Sequence, residues 1–148
     1  GIRDYYASRG LRDVYKRQVM NRNEFINYVQ TAYGVKGDNP WQKDPESTVF
    51  RHIGNRKWFA LVMRVKRSSL GLNGEELIDI VNFKCDKVMV GSALGNNGFY
   101  PAYHMNKENW ITAALDGSAS EENIKFFLDL SFELTAPKIK KYQKNCNP

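Results

Sequence analysis

Apolar residues recur at helical spacing soon after the start of the chain. Phe25, Ile26, Val29, Ala32 and Tyr33 fall on one stripe, which predicts an amphipathic helix over 21–33. Asn21 can cap it, Glu24 three residues on completes a capping-box pair, and Gly34 closes it. A second stripe, Ile124, Phe127, Leu128, Ser131 and Leu134, predicts a last helix. Ser118 or Ser120 can cap that helix, Glu121 and Glu122 favour its first turn, and Pro137 stops it. Between the two stripes the period changes to that of strands. Residues 48–53 and 57–65 are rich in β-branched and aromatic side chains, and Gly54-Asn55-Arg56 between them supplies a hairpin turn. Residues 75–84 form a third strand, with Leu77, Val81 and Phe83 on one face and Ile78 and Ile80 on the other. Asp86 can cap a short helix over 87–94, and 99–104 and 110–115 read as two further strands. Pro40 and Pro45 make 37–47 a loop, with Trp41 expected to anchor it in the core. Trp58, Phe59, Leu61, Phe83, Phe127 and Leu128 are expected to share one core between sheet and helices.

Consecutive strands with short turns predict an α+β fold, an antiparallel sheet with the N- and C-terminal helices packed on one face. The chain has 148 residues, enough for one domain, placed at 20–136 between a leader, 1–19, and a basic tail, 137–148. The longest apolar stretch, 58–63, is far short of the roughly 20 residues that span a bilayer. Two cysteines, Cys85 and Cys146, form no CxxC pair, and the N-terminal stretch has no apolar secretory region. A reducing, cytoplasmic location is therefore expected. The formal net charge of +6 hints at an anionic partner, but residues 1–19 carry half of it. The segment Asp13–Gln18 resembles translated linker sequence, so the native start is expected at Met20; a basic arm that orders on nucleic acid is the rival reading.

Two groups of residues suggest chemistry. The segment 100–110 puts Tyr100, Tyr103, His104, Asn106, Lys107 and Trp110 in one turn and strand. Rings that stack on bases beside cations that neutralise phosphate are what a nucleic-acid surface needs. The plainer reading makes Tyr103, Met105 and Trp110 core residues and gives Asn106 and His104 to a tight turn. The second group is basic: Arg51 on the first hairpin strand, Arg56 and Lys57 at the hairpin tip, Arg64, Lys66 and Arg67 at the far end of its second strand, and Lys84. By strict alternation Arg64 and Lys66 share a face with Trp58, Ala60 and Val62. Such a hairpin can act as a wing along phosphates, or it can be a solvated strand end. Catalytic patterns are absent: there is no nucleophile elbow, Gly-rich phosphate loop or HExxH. His52 and His104 have no metal spacing, and Cys85 reads as a small buried residue although Lys84 precedes it and a helix start follows. No cofactor and no metal are expected.

Several stretches read in order carry a resemblance. They are Val49-Phe50-Arg51, Lys57-Trp58-Phe59-Ala60-Leu61, Lys84-Cys85-Asp86, the run from Tyr103 through Lys107 to Trp110, and Leu115-Asp116-Gly117. Together they resemble the MmcQ/YjbR family from Met20 to Ala136, with YHMNK..W followed by LDG the most specific part. The resemblance implies a fold like that of CyaY, the bacterial frataxin, and DNA binding through a double-wing arrangement. It names no contact residues; the eleven proposed here, Arg56, Lys57, Arg64, Lys66, Arg67, Lys84, Tyr103, His104, Asn106, Lys107 and Trp110, come from their chemistry. The chain departs from the family pattern after Asp86, where a short Gly/Asn-rich stretch stands in place of a longer acidic helix. The frataxin comparison raises iron binding, but residues 21–33 contain a single acid, Glu24, and a hard cation needs several carboxylates. A non-enzymatic DNA-binding module is the expected function, with a protein-interaction or small-ligand module as the alternative.

Overall fold

The first helix begins where its caps say it should. In the computed structural model, which describes residues 20–138, Asn21 and Glu24 form the reciprocal capping box, and Gly34 ends α1 (Arg22–Tyr33) with φ at 66°. The expectations for residues 1–19 and for 139–148 of the basic tail lie outside the described residues. The chain continues through β1 (Thr48–Arg51), β2 (Trp58–Lys66), a 3-10 turn (Arg67–Leu70), β3 (Leu77–Lys84), α2 (Lys87–Leu94), β4 (Phe99–Pro101), β5 (Trp110–Ala114) and α3 (Glu121–Thr135). Asp86 caps α2 and Ser120 caps α3, each by accepting a backbone N–H. Of the two serines considered for α3, Ser120 takes the role. The expected strand over 99–104 stops at Pro101, which has no N–H to donate, and residues 102–109 leave the sheet as a loop. Gly98, at φ 81°, leads into β4; a Cβ there would meet the Ala119 backbone nitrogen at 2.4 Å, so only glycine fits.

The five strands lie in the order β1-β2-β3-β5-β4, and every neighbouring pair is antiparallel. The fold is α+β. Both long helices pack on one face. Phe25 and Val29 of α1 and Ile124, Phe127 and Leu128 of α3 join Phe50, Phe83, Val81, Val62 and Ile111 in one core. The helices also touch each other: the rings of Tyr33 and Phe132 lie 4.6 Å apart, and Lys125 sits 4.5 Å above the Tyr28 ring. A smaller cluster, Val65, Ile78, Ile80 and Ala114, occupies the opposite face, where Leu70, Tyr100 and Tyr103 pack on it.

One irregularity decides which side chains reach which face. The β1–β2 register slips between Phe50 and Arg51, so that Phe50 faces Ala60 while Arg51 faces Trp58. Phe59 is the extra residue of this bulge. It turns into the helix-side core beside Phe50 and Phe132. Trp58 is thereby sent to the other face. Strict alternation places Trp58 with Ala60 and Val62, and the sequence pattern alone puts Trp58 and Leu61 in the helix-side core. Both instead line a hollow on the second face, and Trp41, expected in the core, packs edge-on against Trp58 at 5.7 Å. The bulge leaves polar groups that the ladder cannot satisfy, and α3 satisfies them. The buried Ser131 hydroxyl donates to the Phe59 carbonyl at 2.5 Å and accepts the Lys84 N–H at 2.9 Å.

Candidate nucleic-acid interface

The register sets the rows of the second face. Met63, Ile80 and Ala114 form one row, and Leu61, Asn82, Thr112 and Tyr100 the next. Lys84 and Trp110 face each other at the end of the sheet, with the Lys84 ammonium 5.6 Å from the Trp110 ring. Two polar residues, Asn82 and Thr112, are wholly buried in the middle of this apolar face. They form a short mutual hydrogen bond and hold the 102–109 loop from below. Thr112 Oγ1 accepts the Tyr103 N–H at 2.9 Å, and the Asn82 amide donates to the Tyr103 carbonyl at 3.2 Å. Buried polar groups are costly unless paired, so this network fixes where the loop sits. Neither residue was among the sequence candidates; a polar side chain inside the apolar run of β3 was the signal for Asn82.

The loop so held carries two rings, the half-buried Tyr103, packed on the sheet, and the exposed His104. Tyr103 and His104 stack at 3.9 Å with their planes 13° apart. His104 has φ at 58°, left-handed backbone that costs a non-glycine residue about 1 kcal/mol or more. Asn106 is a turn former: its side chain accepts the Glu108 N–H at 2.8 Å. A second loop faces it. The Asn39 amide donates to the carbonyls of Pro45 at 3.1 Å and Ser47 at 3.0 Å, closing residues 39–47 into a rigid turn that presents Trp41. Between the two loops lies a hollow of about 380 Å³ lined by Trp41, Trp58, Leu61, Met63, His104 and Met105, together with the polar Lys43, Asp44 and Ser47. On the other side of His104 a hollow of about 370 Å³ is lined by Leu70, Tyr100, Tyr103 and Lys107.

The structure divides the eleven candidates into two groups. Lys84, Trp110 and the loop residues Tyr103, His104, Asn106 and Lys107 belong to one end and the second face of the sheet, and Arg56 and Lys57 stand in the β1–β2 turn at that end, where Arg56 lines a separate hollow with Gly34, Asp38 and Arg51. Arg56 has φ at 63°, and it and Lys57 are exposed in the turn that leads into Trp58. Arg64, Lys66 and Arg67 lie at the opposite end of β2, about 25 Å away at roughly 3.3 Å per residue. There each has a carboxylate partner. Arg64 donates to Asp79 at 3.0 Å and pairs with Glu46 at 2.9 Å, Lys66 pairs with Glu75 at 3.4 Å, and Arg67 with Asp116 at 3.9 Å. The hydrogen bond to Asp79 raises the Arg64 pKa above its already high ordinary value. Residues 20–138 as a whole carry fourteen Lys/Arg against fourteen Asp/Glu, so the positive excess of the chain comes from its two terminal segments.

The remaining titratable candidates sit in the helix-side core. Cys85 is buried, and burial, aided by the charge of Asp86, pushes its thiol up to about 11. That is opposite to activation by Lys84 or by a helix start. His52 is buried against Phe59 and Phe132, its Nε2 lying 2.8 Å from the Phe132 carbonyl and 3.0 Å from the Thr135 hydroxyl at the end of α3. Among the described residues no cluster of three or more His, Cys, Asp or Glu side chains could hold a metal ion. No described helix is long and apolar enough to cross a membrane.

Comparison with known proteins adds to this geometry. The YjbR family model matches residues 30–134. YyaQ of Bacillus subtilis, described as an uncharacterized protein, is 36% identical over 117 residues, covering 79% of this chain and 99% of its own. A crystal structure of a Pseudomonas syringae protein is similar at 44% identity and a TM-score of 0.77, covering 79% of this chain and 100% of its own. A solution NMR structure from the same organism is 43% identical with a TM-score of 0.75, covering 82% and 97% of the two chains. A Deinococcus radiodurans crystal structure, at 19% identity and a TM-score of 0.59 over 86% of this chain and 87% of its own, shares the fold.

Proposed function

The chain belongs to the YjbR family, and from that premise we propose that it is a non-enzymatic nucleic-acid-binding module, with DNA as its expected partner, whose contact surface is the second face of the sheet. The observation that carries this reading is the juxtaposition on that face of open aromatic hollows with Lys43, Lys84 and Lys107. Rings supply stacking surface and the lysines supply phosphate contacts. Arg56 and Lys57, at the same end of the sheet, extend the cationic rim in the manner of a wing. The left-handed backbone at Arg56 and His104 supports a functional role for both positions, since strain of this kind collects at binding sites. The raised thiol of Cys85 and the structural role of His52 favour binding over catalysis. The buried cysteine also fits a reducing, cytoplasmic setting.

The test is a salt-dependent titration of the full chain against DNA and RNA. Lys84→Ala together with Lys107→Ala should weaken binding and reduce the log–log salt slope by roughly 0.7–0.9 per lost contact. Unchanged affinity and slope in the double variant would show that Lys84 and Lys107 make no phosphate contact and would remove them from the surface proposed. Lack of any salt-sensitive binding at micromolar concentration would end the nucleic-acid reading. The small-ligand alternative is favoured by one observation: the walls of the larger hollow are chiefly Trp, Leu and Met, and its volume of about 380 Å³ is within the range of small-molecule sites, roughly 300–1,000 Å³.

A further inference from the structure

His104 lines both hollows of the second face. On one side stand Trp41, Trp58 and Met105, on the other Tyr100, Tyr103 and Lys107, with the stacked Tyr103–His104 pair as the ridge between. We infer that these two hollows form a two-base site for single-stranded nucleic acid, each taking the face of one unpaired base. The inference rests on the nucleic-acid reading above and names its substrate.

Two arguments lead to it. In a duplex the faces of the bases are hidden by their neighbours and only edges and phosphates are offered, so hollows lined by aromatic and aliphatic side chains have nothing to grip. An unpaired base offers a face, and stacking on aromatic side chains tolerates any sequence. The charge balance points the same way. Duplex affinity is dominated by phosphates neutralised, and the described fold has as many acids as bases. Its most concentrated cations, Arg64, Lys66 and Arg67, are already paired with carboxylates at the far end of the sheet. The fold's own affinity must therefore come from stacking, with the few lysines of the second face guiding the backbone.

The experiment compares oligothymidylate, oligouridylate, a duplex and an abasic oligomer of equal length, each titrated into the full chain while tryptophan fluorescence is followed. Both single strands should bind at least about tenfold more tightly than the duplex and the abasic oligomer and should quench the tryptophans. Trp58→Ala should reduce single-strand affinity about tenfold while leaving the salt slope unchanged, because it removes a stacking partner and no cation. His104→Gly should act in the same direction; glycine accepts φ near 58°, so this variant removes the ring and keeps the loop. Melting curves of both variants separate lost contacts from lost folding. Equal affinity for duplex and single strand, or for abasic and thymidylate oligomers, would overturn the base-face site and leave the broader nucleic-acid reading standing. Failure of every polymer to bind would remove both.

Discussion

The two faces of this sheet are built from different kinds of residue and are covered in different ways. The helix side is filled by Phe25, Phe50, Phe59, Phe83, Ile111 and Leu128, all essentially inaccessible to solvent. Side chains of that kind interlock and leave no room for a ligand. The opposite side carries Trp41, Trp58, Met63, Tyr100, Tyr103 and Met105, all partly exposed, and is roofed by two loops rather than by helices. Loops cover a sheet incompletely, and what they leave open is a pair of hollows. The lesson is a division of labour. One face holds the main core, and the other, with a smaller core under loops, leaves half-buried aromatic rings at the surface.

The comparison can be broken by substitution, and the largest effect belongs to the closed face. Phe127 is 3% exposed between α3 and the sheet, so Phe127→Ala should cost about 3–5 kcal/mol in a urea denaturation experiment. A cost below about 1 kcal/mol would mean that the helix side is not the stabilising one.

Ser131→Ala tests the link between the faces. It leaves the Phe59 carbonyl and the Lys84 N–H without their buried partner and should cost roughly 1–3 kcal/mol. Because the bulge orients Trp58, this variant should also weaken binding at the second face; a stable variant with altered tryptophan fluorescence would separate the two effects.

A third test uses pH. Cys85 in the folded chain is held near 11 against an ordinary 9.0, so above that ordinary value the unfolded chain loses its proton first. The contribution is complete below about 9 and is lost as pH rises toward about 11. Wild type should therefore lose more stability than Cys85→Ala across that interval, as read from denaturation midpoints; parallel profiles would show that the thiol is open to water.

The smallest expected change is in the stability of His104→Gly. Removing a left-handed non-glycine residue should leave the fold as stable or raise it by up to about 1 kcal/mol. A clear loss in thermal unfolding would show that the Tyr103–His104 stack holds the loop, rather than being held by Asn82 and Thr112.

Much of this molecule was legible one segment at a time. The capping box at Asn21 and Glu24, a serine cap at 118 or 120 and the alternation along β3 depend on residues a few positions apart, so helices, strands and their order could be read directly. The family resemblance was carried by equally local strings. The candidate site was legible only in half: Tyr103, His104, Lys107, Lys84 and Trp110 were found by residue type, and their surroundings were not. Trp41, Trp58 and Met105 meet across loops, Asn82 reaches a loop 21 residues away, and Ser131 repairs a bulge from 72 residues away. Arg64 looked like a free cation until Asp79, 15 residues on, took it. Such pairings depend on register and on a single bulged residue, Phe59, and a one-residue slip exchanges the faces of everything beyond it. Local pattern settles which elements form; which side of the sheet a tryptophan faces, and whether a lysine or arginine is already neutralised, are properties of strands brought together from far apart in the chain.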